Sequence, residues 1–478
     1  MSLQIYDPIR KKKVEFQPVQ EGKVGMYVCG MTVQGEPHIG HMLAALSGDM
    51  VRRYLEYRGY EVTLVQNFTD IDDKILQKAA EEGVDYPVIA QRNIDLYFHY
   101  ARALNIADAT VYPKATEHVP EMFEIIEKLI EKGHAYESNG DVYYDVKSYD
   151  DYGRLSGRRI NELQSGVRIE VEEGKRDDLD FALWKSAPEE EPGFESPWGW
   201  GRPGWHIECS AMSMKYCGET LDIHGGGLDL KFPHHENERA QSQAATGKTF
   251  ANHWLHNGLV TVGGEKMSKS DGNYVSMTDL MKDFEAETVR FYLLSTHFRS
   301  RAEFDRDQLH RAHGSLNRIR EFSISLHESL EKAPKEVEVR APVGDKLEAA
   351  CDLALERWHE AMDDDFNTGG AIGHIFELVK EFNRLMAEDA EGLSLNRQAL
   401  EKSTLALDTM CGALGLFIEG LPKERRVEIS PELLDLLALR DKARAEKDWA
   451  AADRYRDEIL AAGFQVLDGP EGSSLKKT

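Results

Sequence analysis

Val24-Gly25-Met26-Tyr27-Val28-Cys29-Gly30 reads as a strand entering a glycine turn, and this stretch decides the fold. After a loop, His41 to Arg58 places Leu43, Leu46, Met50, Val51, Tyr54 and Leu55 on one helical face. Gly59 follows as the left-handed residue that ends a helix, and Val62-Thr63-Leu64-Val65 reads as a buried strand. Strand, helix and strand in this order build a parallel βαβ unit, which binds ligands at the C-terminal ends of its strands. The expected class is α/β with a Rossmann-like parallel sheet.

Working outward, residues 113–205 change to helices, short strands and loops, ending in the run Pro188, Pro192, Pro197, Trp198, Trp200, Pro203 and Trp205. This stretch reads as an insertion into the sheet domain. The sheet is expected to resume with Leu221-Asp222-Ile223-His224 and with Gly258-Leu259-Val260-Thr261-Val262. From about Thr288 the pattern is mostly helical, with boundaries at Pro342 and near Gly420-Leu421-Pro422.

The chain has 478 residues, enough for two to four domains at roughly 100–200 residues each. Acids outnumber bases 84 to 58, giving −26, which argues against binding nucleic acid by bulk attraction. Local patches remain: Arg299–Arg320 holds six Arg against three acids, and Leu433–Thr478 eight bases against nine acids. Taken alone, either segment is a solvated helix face. No apolar run reaches the ~18 residues of a transmembrane helix. The opening Met1-Ser2-Leu3-Gln4-Ile5-Tyr6-Asp7 lacks the apolar stretch expected of a signal peptide, and five scattered cysteines are not expected to make a disulfide scaffold. A reducing cytoplasm is expected.

Three clusters carry chemistry. His38-Ile39-Gly40-His41 lies between the first strand and its helix, where helix amides favour a phosphate. Gly40 would let a purine or ribose approach; from four residues alone, a histidine-containing turn is equally open. Gly263-Gly264-Glu265-Lys266-Met267-Ser268-Lys269-Ser270-Asp271-Gly272-Asn273 sets Lys266 and Lys269 in a glycine-bracketed loop that can swing onto a polyphosphate. A solvated basic loop is the plain alternative, made less attractive by the order of the two motifs on a βαβ frame. Lys231-Phe232-Pro233-His234-His235-Glu236-Asn237-Glu238 starts a helix, with Pro233 suited to its first position and acids in the first turn. His234 and Glu238, four apart, share a face. The H-E-x-x-H metalloprotease pattern fails because position 239 is Arg. Cys29 and Cys209 would complete a zinc-type donor set, although two buried core thiols are the commoner arrangement.

Together the clusters resemble the cysteinyl-tRNA synthetase family of class I aminoacyl-tRNA synthetases. His38-Ile39-Gly40-His41 and Lys266-Met267-Ser268-Lys269-Ser270 resemble the two class I signatures. Met26-Tyr27-Val28-Cys29-Gly30, Asn67-Phe68-Thr69-Asp70-Ile71-Asp72-Asp73-Lys74, Gly204-Trp205-His206-Ile207-Glu208-Cys209-Ser210-Ala211-Met212, His224-Gly225-Gly226-Gly227 and Phe232-Pro233-His234-His235-Glu236-Asn237-Glu238 are similar to the cysteine enzymes. Lys447-Asp448-Trp449-Ala450-Ala451-Ala452-Asp453 extends the likeness into the tail.

The resemblance implies zinc on Cys29, Cys209, His234 and Glu238, one ion per chain. It implies ATP with Mg²⁺ on His38, Gly40, His41 and Lys269, and catalytic roles for His38, His41, Lys266 and Lys269. It implies a cysteine pocket lined by Thr69, Trp205 and His224. For these three, a helix cap, core packing and a hydrogen-bonded strand-end histidine stay open. The implied activity is ligation of L-cysteine to tRNA(Cys) through cysteinyl-adenylate, with zinc selecting the thiolate so that no editing domain is expected. The implied layout is 1–112 and 206–300 catalytic, 113–205 inserted, 301–341 contacting the tRNA stem, 342–420 a helical bundle and 421–478 anticodon-binding. A monomer with no membrane partner is expected.

Gln34-Gly35, Met42-Leu43 and Asp271 depart from the family pattern and bear on the fine geometry of ATP binding. Lys74-Ile75-Leu76-Gln77-Lys78 only partly matches a family lysine motif for cysteine persulfide formation, and that activity is not predicted. The competing readings are a cysteine:amino-sugar ligase of mycothiol synthesis and a non-enzymatic zinc-stabilised RNA-binding protein. Arg440, Lys442, Arg444, Lys447 and Trp449 favour tRNA, since a basic and aromatic surface suits unpaired bases.

Overall fold

The computed structural model describes residues 2–158, 174–267, 274–335, 341–424, 431–469 and 472–477. An N-terminal hairpin, β1 (Gln4–Asp7) and β2 (Lys12–Glu15), precedes the unit β3 (Lys23–Val28), α1 (Ile39–Tyr57) and β4 (Glu61–Gln66). β3 and β4 pair in parallel from Lys23–Glu61 to Val28–Gln66. The face of α1 expected to be apolar is the one buried against them, and Gly59 takes φ +89 just past its end. Helices α2 (Asp73–Glu82) and α3 (Tyr86–Ala103) follow; Asp72 caps the first, so Thr69 does not.

α4 (Val119–Glu131) leads into an antiparallel sheet in the order β5 (Ala135–Ser138), β6 (Asp141–Tyr144), β7 (Phe181–Ser186), β8 (Gly201–Pro203). The chain then returns through α5 (Trp205–Cys217), β9 (Leu221–Gly227), α6 (His234–Thr246) and β10 (Ala251–Asn257). The parallel sheet runs β10-β9-β3-β4. Gly226 lets α6 press onto β9, for a Cβ there would stand 2.9 Å from the His235 ring.

Two expectations need correction. The sheet resumes through Ala251–Asn257, not Gly258–Val262. Two histidines and two asparagines disguise β10; three of the four are buried, with His256 bonded to His235 at 2.9 Å and Asn257 donating to Gly258 O at 3.0 Å. β11 (Val260–Val262) leaves to form a small sheet with β12 (Glu265–Lys266) and β13 (Ala302–Glu303). Pro233 stands at the N-cap of α6, one residue before the expected first position, because its ψ of −15° ends the preceding loop.

α7 (Met277–Asp283), α8 (Ala286–Leu294) and α9 (Arg306–Lys332) lead to α10 (Pro342–Asp363), α11 (Thr368–Leu395) and α12 (Arg397–Ala413). Leu347, Cys351, Ala354 and Trp358 keep helical spacing and bury one face of α10. Between α10 and α11, Asp365 and Phe366 hold φ of 60° and 55°. Asp365 accepts two bonds from Arg299, at 2.7 and 2.9 Å, and one from Tyr6 N at 3.0 Å, tying the turn to β1.

The local positive charge of Arg299–Arg320 is largely neutralised. Arg299, Arg306, Arg311 and Arg320 pair with Asp365, Asp283, Asp305 and Glu285/Glu287. Arg301 and Arg318 are exposed and form no ion pair among the described residues.

Met1–Leu421 forms one compact unit and Pro422–Thr478 a second. The second contains α13 (Pro431–Ala445), α14 (Trp449–Ala461) and the hairpin β14 (Phe464–Gly469) and β15 (Gly472–Lys477), around Leu433, Ile459 and Phe464. Arg440 is buried and donates to Ser473 Oγ at 2.9 Å, so it is not part of an open basic surface. Lys442, Arg444, Lys447 and Trp449 are exposed.

Candidate active site and metal centre

His38 caps α1. Its Nδ1 accepts from Gly40 N at 3.0 Å and His41 N at 3.3 Å, while His41 Nδ1 accepts from His38 N at 3.2 Å. The rings stack with centroids 3.6 Å apart. A neutral imidazole that accepts at Nδ1 carries its proton on Nε2, so capping sets the tautomer able to donate to a phosphoryl oxygen. Both rings border a cavity of about 320 Å³ with Cys29, Gly40, Trp205, Asp229 and Met267. At Gly40 a Cβ would come 2.9 Å from the His38 ring, so glycine keeps this mouth open.

Residues on either side of the second motif are tied to their neighbours. Glu303 Oε1 accepts from Gly264 N at 2.9 Å before the lysines. After them, Tyr274 OH donates to Glu36 O at 2.8 Å, Thr278 N donates to Glu36 Oε1 at 3.1 Å, and the Tyr274 ring meets His38 edge-on. The Lys266 backbone lies in β12, paired with Thr261. Lys269 and Asp271 lie outside the described residues.

Behind Cys29 the fold gathers a buried cluster. Cys29 lies just past β3, Cys209 on α5, and His234 and Glu238 one turn apart on α6. Cys29 Sγ is 3.8 Å from Cys209 Sγ and 3.5 Å from Glu238 Oε1, and His234 Nε2 is 3.0 Å from the same oxygen. Bond lengths of about 2.3 Å to sulfur and about 2.0 Å to oxygen or nitrogen give tetrahedral edges of about 3.8 Å (S–S), about 3.5 Å (S–O) and about 3.3 Å (N–O). The residues therefore fit a tetrahedral zinc ion. Cys29, His224, His235 and Glu238 also cluster, but the two sets share Cys29 and Glu238 and so compete for one ion.

Charge within the cluster is pre-arranged. Burial would push the Glu238 carboxyl up, yet His224 and His234, at 2.9 and 3.0 Å, hold it well below the usual range. Burial opposes a charge on His234, but Glu238 and then Cys209 raise it to about 10. Burial and the bond to Cys209 push the Cys29 thiol up; burial would do the same to Cys209, but the Cys29 bond brings it down to about 6.

Of the predicted cysteine-pocket residues, Trp205 borders the cavity and stacks on His234 at 4.2 Å. Thr69 and His224 are buried behind it, donating to Glu208 Oε2 at 2.8 Å and bonding Glu238 Oε2 at 2.9 Å. Three residues escaped the sequence reading. His206 Nδ1 meets His234 Nδ1 at 2.9 Å, and burial followed by the charge of His234 keeps His206 neutral. The bond orients His234, as outer partners of metal ligands do. Glu208, whose carboxyl burial pushes well up, and Asp229 at the cavity wall are the others. His206 and Glu208 stand inside the quoted Gly204–Met212 stretch, one residue from Trp205 and one residue from Cys209 respectively, and that adjacency on α5 is the signal that could have found them.

Residues 15–314 match the family described as "tRNA synthetases class I (C) catalytic domain", and residues 357–418 the "DALR domain". The fold agrees with solved synthetases: TM-score 0.66 to Mycobacterium tuberculosis methionyl-tRNA synthetase in complex with methionyl-adenylate, at 18% identity over 90% of this chain and 96% of that one. A leucyl enzyme from Agrobacterium radiobacter K84, solved with tRNA, gives 0.61 at 12% identity over 95% of both. Parallel sheet, paired motifs and helical bundle define a class I aminoacyl-tRNA synthetase. Cysteine–tRNA ligases of Heliobacterium modesticaldum and Geobacter metallireducens are 46% and 47% identical over the full length of both partners. The chain belongs to the cysteine–tRNA ligase family.

Proposed function

We propose that the chain activates L-cysteine with ATP to cysteinyl-adenylate and pyrophosphate, then transfers the cysteinyl group to the 3′ end of tRNA(Cys). The observation that carries this reading is the tetrahedral spacing of Cys29, Cys209, His234 and Glu238 at the end of a cavity bordered by His38 and His41.

The cysteine carboxylate attacks the α-phosphorus. His38 and His41 donate from Nε2 to phosphoryl oxygens, and Lys266 and Lys269, with the Mg²⁺ that accompanies ATP, offset charge on the leaving pyrophosphate. Zinc held by the four-residue cluster supplies a soft centre that takes a thiolate and leaves a hydroxyl or methyl weakly bound. A hydrophobic pocket alone separates such small side chains only ~10–200-fold, so metal selection replaces editing. Trp205 closes the pocket over His234. Arg301 and Arg318 are the exposed cations for the tRNA stem, and Lys442, Arg444, Lys447 and Trp449 those for the anticodon; residues 301–341 and 421–478 take these roles in the domain layout. The site of action is the cytoplasm, with the chain as a monomer.

Full-length likeness to cysteine–tRNA ligases disfavours both an amino-sugar ligase and a non-enzymatic RNA binder. Cysteine-dependent ATP–pyrophosphate exchange together with charging of tRNA(Cys) is the test; exchange without charging would overturn the tRNA reading.

A further inference from the structure

Glu36 takes no part in the chemistry above, and it is not among the described residues that border the cavity. Yet it holds both ends of one short stretch of distant chain. Its main-chain carbonyl accepts from Tyr274 OH at 2.8 Å. Its side-chain Oε1 accepts from Thr278 N at 3.1 Å and also from Thr278 Oγ1. Tyr100 OH, on α3, joins the same group, 2.5 Å from Thr278 Oγ1 and 3.5 Å from Glu36 Oε1. Thr278 stands in the first turn of α7, where amides lack partners within the helix and the dipole favours a carboxylate. The cap of α7, Ser276, serves Asp279 N, so Glu36 supplies from outside the acceptor for Thr278 N.

The residues between these two anchors are the ones that touch His38. The Tyr274 ring meets the imidazole edge-on with centroids 5.5 Å apart. Ser276 forms an antiparallel bridge with His38, and Ile39 N donates to Val275 O at 3.5 Å. With His41 stacked on it at 3.6 Å, the His38 ring is held by its own motif and by Tyr274–Thr278. Only Pro37 separates Glu36 from His38; a proline fixes its own φ and keeps the residue before it out of helical backbone. The link from anchor to imidazole is therefore short and stiff.

We propose that Glu36 is the positioning residue of His38; the proposal rests on the phosphate role given to that histidine above. Helix capping decides which imidazole nitrogen carries the proton. Glu36, by fixing Tyr274 at one end and Thr278 at the other, decides where that nitrogen points, so that Nε2 meets the phosphoryl oxygens as charge develops on them. Glu36 acts through His38 and touches no reactant.

The test is a double-mutant cycle on the full-length chain purified with zinc, read as cysteine-dependent ATP–pyrophosphate exchange. In E36A the kcat of exchange should fall roughly tenfold with the ATP KM within about twofold, the pattern of an interaction made in the transition state. E36Q, which keeps an acceptor oxygen for Thr278, should retain most of the wild-type rate. In the H38N background E36A should change kcat by less than about twofold, since no imidazole is left to aim. Y274F loses the hydroxyl that reaches Glu36 but keeps the ring, and should repeat the pattern with a smaller fall; it answers the question should E36A not fold. An equal loss from E36A with and without His38, a raised ATP KM at unchanged kcat, or wild-type kinetics in both E36A and Y274F would overturn the proposal. Wild-type exchange in H38N would instead sink the phosphate role of His38 on which it rests.

Discussion

Arg290 Nη2 lies 2.8 Å from Asp49 Oδ2, and neither side chain reaches solvent. The same guanidinium donates to the carbonyls of Leu414, Leu104 and Asn105 at 2.8–2.9 Å. Arg290 thus joins α1, which His38 caps, to the end of α3 and the end of α12. The left-handed Gly415 makes room, since a Cβ there would stand 2.2 Å from Nη2.

Replacing Arg290 by Met leaves the Asp49 carboxylate in the interior with Arg53 at 2.9 Å, the Ala107 N–H at 3.0 Å and Arg52 at 3.8 Å, without its most buried cation. A loss of about 3–5 kcal/mol is expected, read as a lower denaturation midpoint in urea.

His38 combines a cap and a proposed phosphate donor, and two substitutions separate them. Asn is a good N-cap, so H38N should keep thermal stability while cysteine-dependent exchange falls. H38A should lose about 1 kcal/mol of stability as well. Exchange kinetics and melting of the two variants side by side check this; equal activity in H38N and wild type would remove the phosphate role.

Cys29→Ser removes one sulfur from the four-donor cluster. Bound zinc and cysteine activation should disappear together, measured by metal analysis and pyrophosphate exchange on the same preparation. Normal exchange by metal-free C29S would refute the ligand assignment.

Trp449 is 60% exposed, so W449A should leave the fold and adenylate formation unchanged. Base–aromatic stacking contributes about 1–3 kcal/mol per base; tRNA kcat/KM should fall at least several-fold. A chain ending at Leu421 should charge tRNA more poorly still while exchanging pyrophosphate normally, and unchanged charging would take the anticodon role away from Pro422–Thr478.

Local pattern made much of this legible. The β3–α1–β4 unit follows from apolar runs, helical periodicity and Gly59, and the His38–His41 and Lys266–Ser270 motifs are contiguous. His234 and Glu238 could be paired from spacing, because four residues make one helical turn. Partners distant in the chain could not be read this way. Thr69 meets Glu208 across 139 residues and Arg290 meets Asp49 across 241. β10 was hidden because its buried polar residues find partners elsewhere in the fold, His256 on His235 across 21 residues, and Arg440 looked like surface because its burial depends on a hairpin still to come.

By itself, the sequence determined the α/β class, the order of the two motifs and which residue types were available, since helix turns and strand alternation are short-range. Only the tertiary structure decided that two thiols, an imidazole and a carboxylate meet at tetrahedral separations, that the basic stretch Arg299–Arg320 is mostly neutralised, and that Glu208 is buried against Thr69. Those outcomes depend on which elements pack together, and each of them comes from side chains that chain connectivity leaves far apart.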